Sequence, residues 1–248
     1  MSETIDEKSD GTVSQLQSGM VVPQLPPLAM QAERLIATGL LDDEGGELTT
    51  DLLHQAVNDL QERVAPGALL VVSENVLPAR TLVQHVRRTS GGRDREGFVV
   101  VDMDDLDHFV PTAEAPVPGT LVYALEDPRR GDDMRNWSPA EAQDELSKGG
   151  RTPFTVVEGV HLALQLPAAL DRNACYMMIG SRRRKAKGFD SRTPALWISN
   201  GTGRDGRDRK GSPKLGWCWW NNRHTWLGFA SGARRVADLS GAPNGSTA

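Results

Sequence analysis

The sequence predicts an α+β protein, and three observations carry that reading. In the first half, apolar residues recur either at helical spacing or in short unbroken runs, the pattern of helices laid over a covered sheet. From Ala174 the apolar period changes to two, as in half-exposed strands of an antiparallel sheet. Five of the six tryptophans fall between Pro194 and Ala230, within that second pattern. The expected organisation is a disordered tail over 1–20, an acidic α/β-like half with a helical hairpin over 21–136, a basic half with an antiparallel Trp-rich sheet packed on a helix over 137–236, and a disordered tail over 237–248.

Taken in order, the first twenty residues hold too little apolar surface to order themselves. Leu28, Ala32, Leu35, Ile36 and Leu40 share one face of a helix expected over Leu28–Leu41. An acidic loop, Asp42–Glu47, leads to Thr49, a good N-cap for a second helix over Thr50–Val64 with Leu53, Ala56, Val57, Leu60 and Val64 inward. Ala68–Ser73 reads as a strand covered on both faces, Leu77–Arg88 as an amphipathic helix stopped by T-S-G-G-R-D-R-E, and Gly97–Asp102 as a second buried strand. Strand, helix and strand at that spacing suit a βαβ unit, with Leu121–Leu125 as a third strand. Two capping boxes follow, Ser138-Pro139-Ala140-Glu141 and Thr155–Glu158. The second opens a helix to about Leu166 with His161 on its apolar face, which makes His161 a core histidine rather than a base.

Four strand candidates close the chain: Cys175–Ile179, Ala195–Ser199, Lys214–Trp220 and Thr225–Ala230. Alternation puts Leu215, Trp217 and Trp219 on one face and Gly216, Cys218 and Trp220 on the other. In a simple meander, the Ser181–Thr193 loop and the Asn221-Asn222-Arg223 turn share one end of the sheet, and Asn200–Pro213 projects from the other. The first end would gather Arg182, Arg183, Arg184, Asn222, Arg223 and His224 beside Trp220, with Trp197 on a neighbouring strand. That cluster is the expected ligand-binding site.

Charge is divided unevenly. Residues 1–150 carry 12 Lys and Arg against 27 Asp and Glu, and residues 151–248 carry 16 against 6. Either the two halves face and neutralise each other, or the basic half meets an anionic partner. Asp102-Met103-Asp104-Asp105-Leu106-Asp107 has the D-x-D form of a phosphatase nucleophile and the beginnings of a calcium loop. It lacks the Gly and Glu that the calcium loop needs, having Asp107 and Ala113 there. Gly201-Thr202-Gly203-Arg204-Asp205-Gly206 matches GxGxxG, but R-D-R-K-G-S-P follows where a phosphate-binding helix would have to begin. The segments R-N-W-S-P-A-E-A, G-R-T-P-F-T-V-V-E-G-V, R-T-P-A-L-W-I-S-N-G-T-G-R-D-G and P-K-L-G-W-C-W-W-N-N-R-H-T-W-L-G-F-A-S resemble an actinobacterial family of domains of unknown function. The resemblance spans most of the chain after residue 20. It implies a bacterial cytosolic setting and brings no activity, cofactor or catalytic residue.

Two cysteines, Cys175 and Cys218, fit no disulfide framework and no zinc spacing, which agrees with a reduced cytoplasmic environment. The acidic first residues do not read as a signal peptide, and no apolar run is long enough for a membrane span. No cofactor or metal is implied. The favoured function is a module binding a small molecule or protein at a Trp/Arg surface. The alternatives are a hydrolase- or transferase-type enzyme using Cys218 with His224, and, less favoured, a nucleic-acid-binding protein.

Overall fold

A computed structural model describes residues 24–41, 46–172 and 175–240. The tails expected at 1–20 and 237–248 lie outside these residues apart from 237–240, as does most of the Asp42–Glu47 loop. The first two helices are α1, Leu28–Ile36, and α2, Thr50–Gln61. Both end short of the Leu41 and Val64 expected, leaving Leu40 and Val64 in half-buried turns, but within these bounds they bury the faces the sequence indicates, and the Thr49 side chain accepts from the Leu52 N–H as its cap. α1 packs on β1, Leu69–Val72, all four residues of which are buried, and α2 packs on α1.

The next segment departs from expectation. Only Ala79–Leu82 (α3) is α-helical; a 3-10 turn at Val83–His85 ends it, and Arg87–Ser90 (β2) pairs with Arg93–Glu96 (β3) as an antiparallel hairpin. Gly91 and Gly92 sit at φ +60° and +71°, so the pair that reads as a helix stop is the two-residue turn of a hairpin. Phe98–Val99 (β4), Phe109–Pro111 (β5), Val122–Leu125 (β6), α4 (Pro139–Lys148) and Thr152–Pro153 (β7) follow. Then come α5 (Val156–Gln165), β8 (Cys175–Met177), β9 (Ser181–Arg183), β10 (Arg192–Ile198), β11 (Pro213–Trp219), β12 (Leu227–Phe229), β13 (Ser231–Gly232) and β14 (Arg235–Ala237).

These strands form a three-stranded antiparallel sheet, β1-β6-β14, and a five-stranded mixed sheet, β12-β8-β10-β11-β4. The class is therefore α+β, but the βαβ unit is not formed. β1 pairs antiparallel with β6, whereas β4 leaves for the other sheet and runs parallel to β11. The C-terminal sheet is likewise no simple meander. Because β4 occupies the edge of β11, the chain after Trp219 crosses to the far side and adds β12 parallel to β8.

Helix α5 packs against both sheets and is buried on nearly every side, its polar residues Glu158, His161 and Gln165 included. Both capping boxes form as the sequence predicts, at Ser138–Glu141 and Thr155–Glu158. The outer edge of β1 is closed by side chains rather than by another strand. Gln31 accepts from the Leu70 N–H (2.9 Å) and donates to the Ala68 carbonyl (2.8 Å). The Val72 N–H donates to Nε2 of His161 (3.2 Å), a fully buried ring whose pKa burial lowers to about 4. His161 thus seals a strand edge as a neutral acceptor.

Candidate ligand site

β10 and β11 form a seven-rung ladder from Arg192 opposite Trp219 to Ile198 opposite Pro213. Its two faces divide as alternation requires. Leu196, Ile198, Leu215 and Trp217 join the main core, while Ala195, Trp197, Cys218 and Trp220 join a second cluster with Met134, Ala142 and Leu146 around α4. The second face is thus largely covered. None of the six tryptophans is fully buried: Trp219 is 46% exposed and the others are half-buried.

The end of the ladder expected to hold the site is occupied by the protein's own contacts. The Arg182 guanidinium lies 3.7 Å from the Trp220 ring centroid and 5.2 Å from Phe189, and it donates to the Asp190 carbonyl (2.7 Å). Arg182 is only 7% exposed, and burial lowers its pKa to about 10. Arg183 pairs with Asp105, which also accepts two bonds from Arg192 (3.0 and 2.6 Å). Arg184 is exposed beside Phe189. Arg223 turns away to Glu141 of α4 and the Asn136 carbonyl, and His224 packs against Trp226, with Asn222 exposed between these residues and Trp220. The structure brings Arg182 and Trp220 together, and it separates Arg223 from them onto α4. Trp197 stands opposite Lys214, about 20 Å along β11 from Trp220 at the rise of an extended strand.

Cys218 and His224 show no activating geometry. Burial pushes the Cys218 thiol up to about 11, and among the described residues no hydrogen bond joins it to His224, whose own pKa burial lowers. A thiol in this setting behaves as a small apolar side chain. The D-x-D segment is equally accounted for: Asp102 pairs with Arg204, Asp105 with Arg183 and Arg192, and Asp107 with Arg80 (3.4 Å). Much of the charge asymmetry is neutralised this way, with acids of the first half meeting arginines of the second. Arg234 on Glu126 and Arg223 on Glu141 add to it.

Arg223 also lines a space of about 250 Å³ with Trp137, Glu141 and Lys148, and a larger one lies at the opposite end of the ladder. A cavity of about 540 Å³ forms where β4 leaves β11, within the size range of small-ligand sites. Val100, Val101, Trp197 and Trp217 give it apolar walls, and Arg204, Asp205, Arg209 and Lys214 line the rest with the glycine loop. Gly216 makes room for the indole: a Cβ there would come within 2.6 Å of Cη2 of Trp197 and 3.1 Å of Cγ1 of Val100. Lys214 Nζ lies 5.1 Å from the Trp197 ring centroid and 2.6 Å from Oδ2 of Asp205. Ser199 Oγ donates to the same carboxylate oxygen (2.7 Å), so Asp205 fastens the loop to β10 and β11.

The GxGxxG spacing is a requirement of this loop. Gly201, Gly203 and Gly206 take φ of +70°, +59° and +75°, and short 3-10 turns rather than an α-helix follow. Both carboxylates of the cavity, Asp102 and Asp205, are already engaged by cations. Arg209 stacks over Phe98 at 4.3 Å and has no carboxylate partner among the described residues. Two flat indoles, an unneutralised guanidinium and a positive-φ backbone loop suit an anion carrying a planar group.

Of the cavity residues, sequence reasoning singled out only Trp197 as a binding residue. Arg209 and Lys214 sit in a stretch that reads as solvated loop and strand end, and Val100 follows a strand, β4, whose partner β11 is more than a hundred residues away. Residues 34–238 match a family of unknown function, DUF5701. No curated protein and no solved structure matches the chain. Among the described residues, no helix is long and apolar enough to cross a membrane.

Proposed function

The chain belongs to DUF5701, a family of unknown function, and from the geometry we propose that it is a binding module for an anionic ligand with a flat, unsaturated group. The observation that carries this reading is the cavity at Trp197, where the indole, Lys214 and Arg209 converge on one space. The planar group stacks on Trp197 or Trp217, and the anion faces Arg209, Lys214 and the Gly201–Gly206 backbone. This reading keeps the idea of a Trp/Arg surface but puts it at the opposite end of the sheet from the one expected from the sequence. Arg182, Arg183 and Arg223 are consumed by internal partners and serve the fold.

The test is a titration with adenosine monophosphate, followed by tryptophan fluorescence and calorimetry, with inorganic phosphate as the non-planar control. Binding of the nucleotide, weakened at least tenfold in both Trp197→Ala and Arg209→Gln, is the expected result. Equal affinity in wild type and Trp197→Ala, or equal affinity for phosphate and nucleotide, rejects the reading.

A further inference from the structure

The β2–β3 hairpin sorts its charges by face. Residues opposite each other in the ladder, Arg87 with Glu96 and Thr89 with Asp94, share one side, and there Arg87 pairs with Glu96 (3.1 Å) and Asp94 (3.9 Å). The other side carries Arg88 directly opposite Arg95, with Ser90 opposite Arg93, and no acid at all. Like charges facing each other across a ladder are unfavourable, and nothing in the hairpin relieves them. Arg95 also has a buried Nε without a partner.

This acid-free side faces the glycine loop of the cavity. Arg95 Nη1 donates to the Asp208 carbonyl (2.8 Å), and a Cβ on Gly211 would meet Ser90 Oγ at 2.9 Å. The loop adds three cations, Arg207, Arg209 and Lys210, against one acid, the exposed Asp208, and none of the three has a carboxylate partner among the described residues, unlike most arginines elsewhere in the fold. Two arginine-rich segments more than a hundred residues apart thus form one basic surface, in a chain of net charge −5, and it runs into the Trp197 cavity. One small anion in the cavity would leave Arg88, Arg93 and Arg95 unanswered. A chain of anions would answer all of them.

We propose that the ligand is single-stranded nucleic acid, with its phosphates along the Arg88/Arg93/Arg95 side of the hairpin and the 207–210 loop, and a base in the Trp197 cavity. The inference rests on the ligand reading above and extends it. A single strand is required because a base paired in a duplex cannot leave its stack to lie against a ring in the cavity wall.

The experiment is fluorescence anisotropy with a labelled thymidine oligomer of about twelve nucleotides, a usual site length for aromatic and basic grooves, measured across salt. The oligomer is expected to bind wild type with log affinity falling linearly in log salt. The double variant Arg88→Gln/Arg93→Gln, which leaves the Arg95–Asp208 bond in place, should lower that slope by about 1.4, at roughly 0.7 per lost phosphate contact. Its affinity should fall at least tenfold while its binding of adenosine monophosphate is unchanged. Trp197→Ala should weaken both ligands.

Oligomer binding with the same slope in the double variant overturns the track. Equal competition by inorganic polyphosphate or by a duplex of the same length overturns the single-stranded nucleic acid. If the mononucleotide binds and the oligomer does not, this inference fails and the small-ligand reading stands. If neither binds, both fail.

Discussion

Arg235 and Arg95 each keep a guanidinium nitrogen away from water, and their surroundings are opposite. Arg235 donates to both carboxylate oxygens of Glu158 (2.6 and 2.8 Å), to the Pro153 carbonyl (3.0 Å) and to the Thr152 hydroxyl. Glu158 also accepts from the Thr155 N–H (2.7 Å) and the Tyr123 hydroxyl (3.0 Å). One ion pair therefore ties β14, β6, β7 and the start of α5 together with its donors and acceptors matched. Arg95 faces Arg88, has one backbone acceptor, and keeps an orphaned Nε. In the first region each charge meets its opposite inside the fold; in the second Arg88 and Arg95 face each other with no acid on their side of the hairpin.

If that contrast holds, the largest effect belongs to the matched pair. Arg235→Ala leaves Glu158 fully buried without its cation and should lose about 3–5 kcal/mol of stability. A lower urea midpoint measures this, and Arg235→Lys, which keeps a cation beside Glu158, should lose less than Arg235→Ala. A loss below about 1 kcal/mol in Arg235→Ala would break the comparison, since the pair would then behave like an exposed one.

Gly216→Ala probes the cavity between these extremes. Its new methyl group meets Trp197 and Val100 and should cost about 1–3 kcal/mol by overpacking. Nucleotide affinity should fall with it, because the indole must move. Unchanged affinity would dissociate Trp197 from the ligand.

The pH dependence comes from two groups near the end of β1. Burial, helped by the charges of Asp107 and Glu158, raises Glu74 from 4.5 to about 7, while burial lowers His161 from 6.5 to about 4. Between pH 4.5 and 6.5 the folded state holds an extra proton on Glu74 and lacks one on His161, so the two slopes oppose each other. From pH 6.5 to 7 only Glu74 acts, and stability falls as pH rises. Glu74→Gln should therefore stabilise the protein at pH 8 on the order of 2 kcal/mol, allowing for partial exposure of the carboxyl, and uncover a stability that rises up to pH 6.5. Identical urea midpoints at pH 8 would show that Glu74 is solvated.

What the sequence makes legible is local. The capping boxes at Ser138 and Thr155, the Thr49 cap and the inner face of α2 depend on residues within four positions of each other, and all form as read. Strand partners are not local. Nothing in G-F-V-V-V-D says that Phe98 and Val99 join β11 rather than β1, because both sheets need an apolar edge. The Arg87–Glu96 hairpin escapes a search for alternating apolar residues, since its alternation is one of charge. Arg182 reads as a site residue because guanidinium groups are usually exposed; Trp220 and the Asp190 carbonyl make this one internal. At the candidate site, Trp197 is legible from its composition, whereas Arg209, Lys214 and Val100 are brought to it by pairings across the whole chain.

The smallest expected effect separates the two regions most sharply, because its sign is reversed. Arg88→Glu places an acid directly opposite Arg95, replacing a like-charge cross-strand pair by an opposite one. Such exchanges are worth about 0.2–1 kcal/mol, so the variant should be slightly more stable than wild type, by an amount that shrinks with added salt. The same change should abolish most oligonucleotide binding, since it neutralises one phosphate contact and repels the next. Stability gained with binding lost is the pattern of a surface kept unfavourable in the free protein because its ligand completes it. Stability lost with binding unchanged would make the Arg88–Arg95 pairing part of the architecture, and the hairpin would then belong with Arg235.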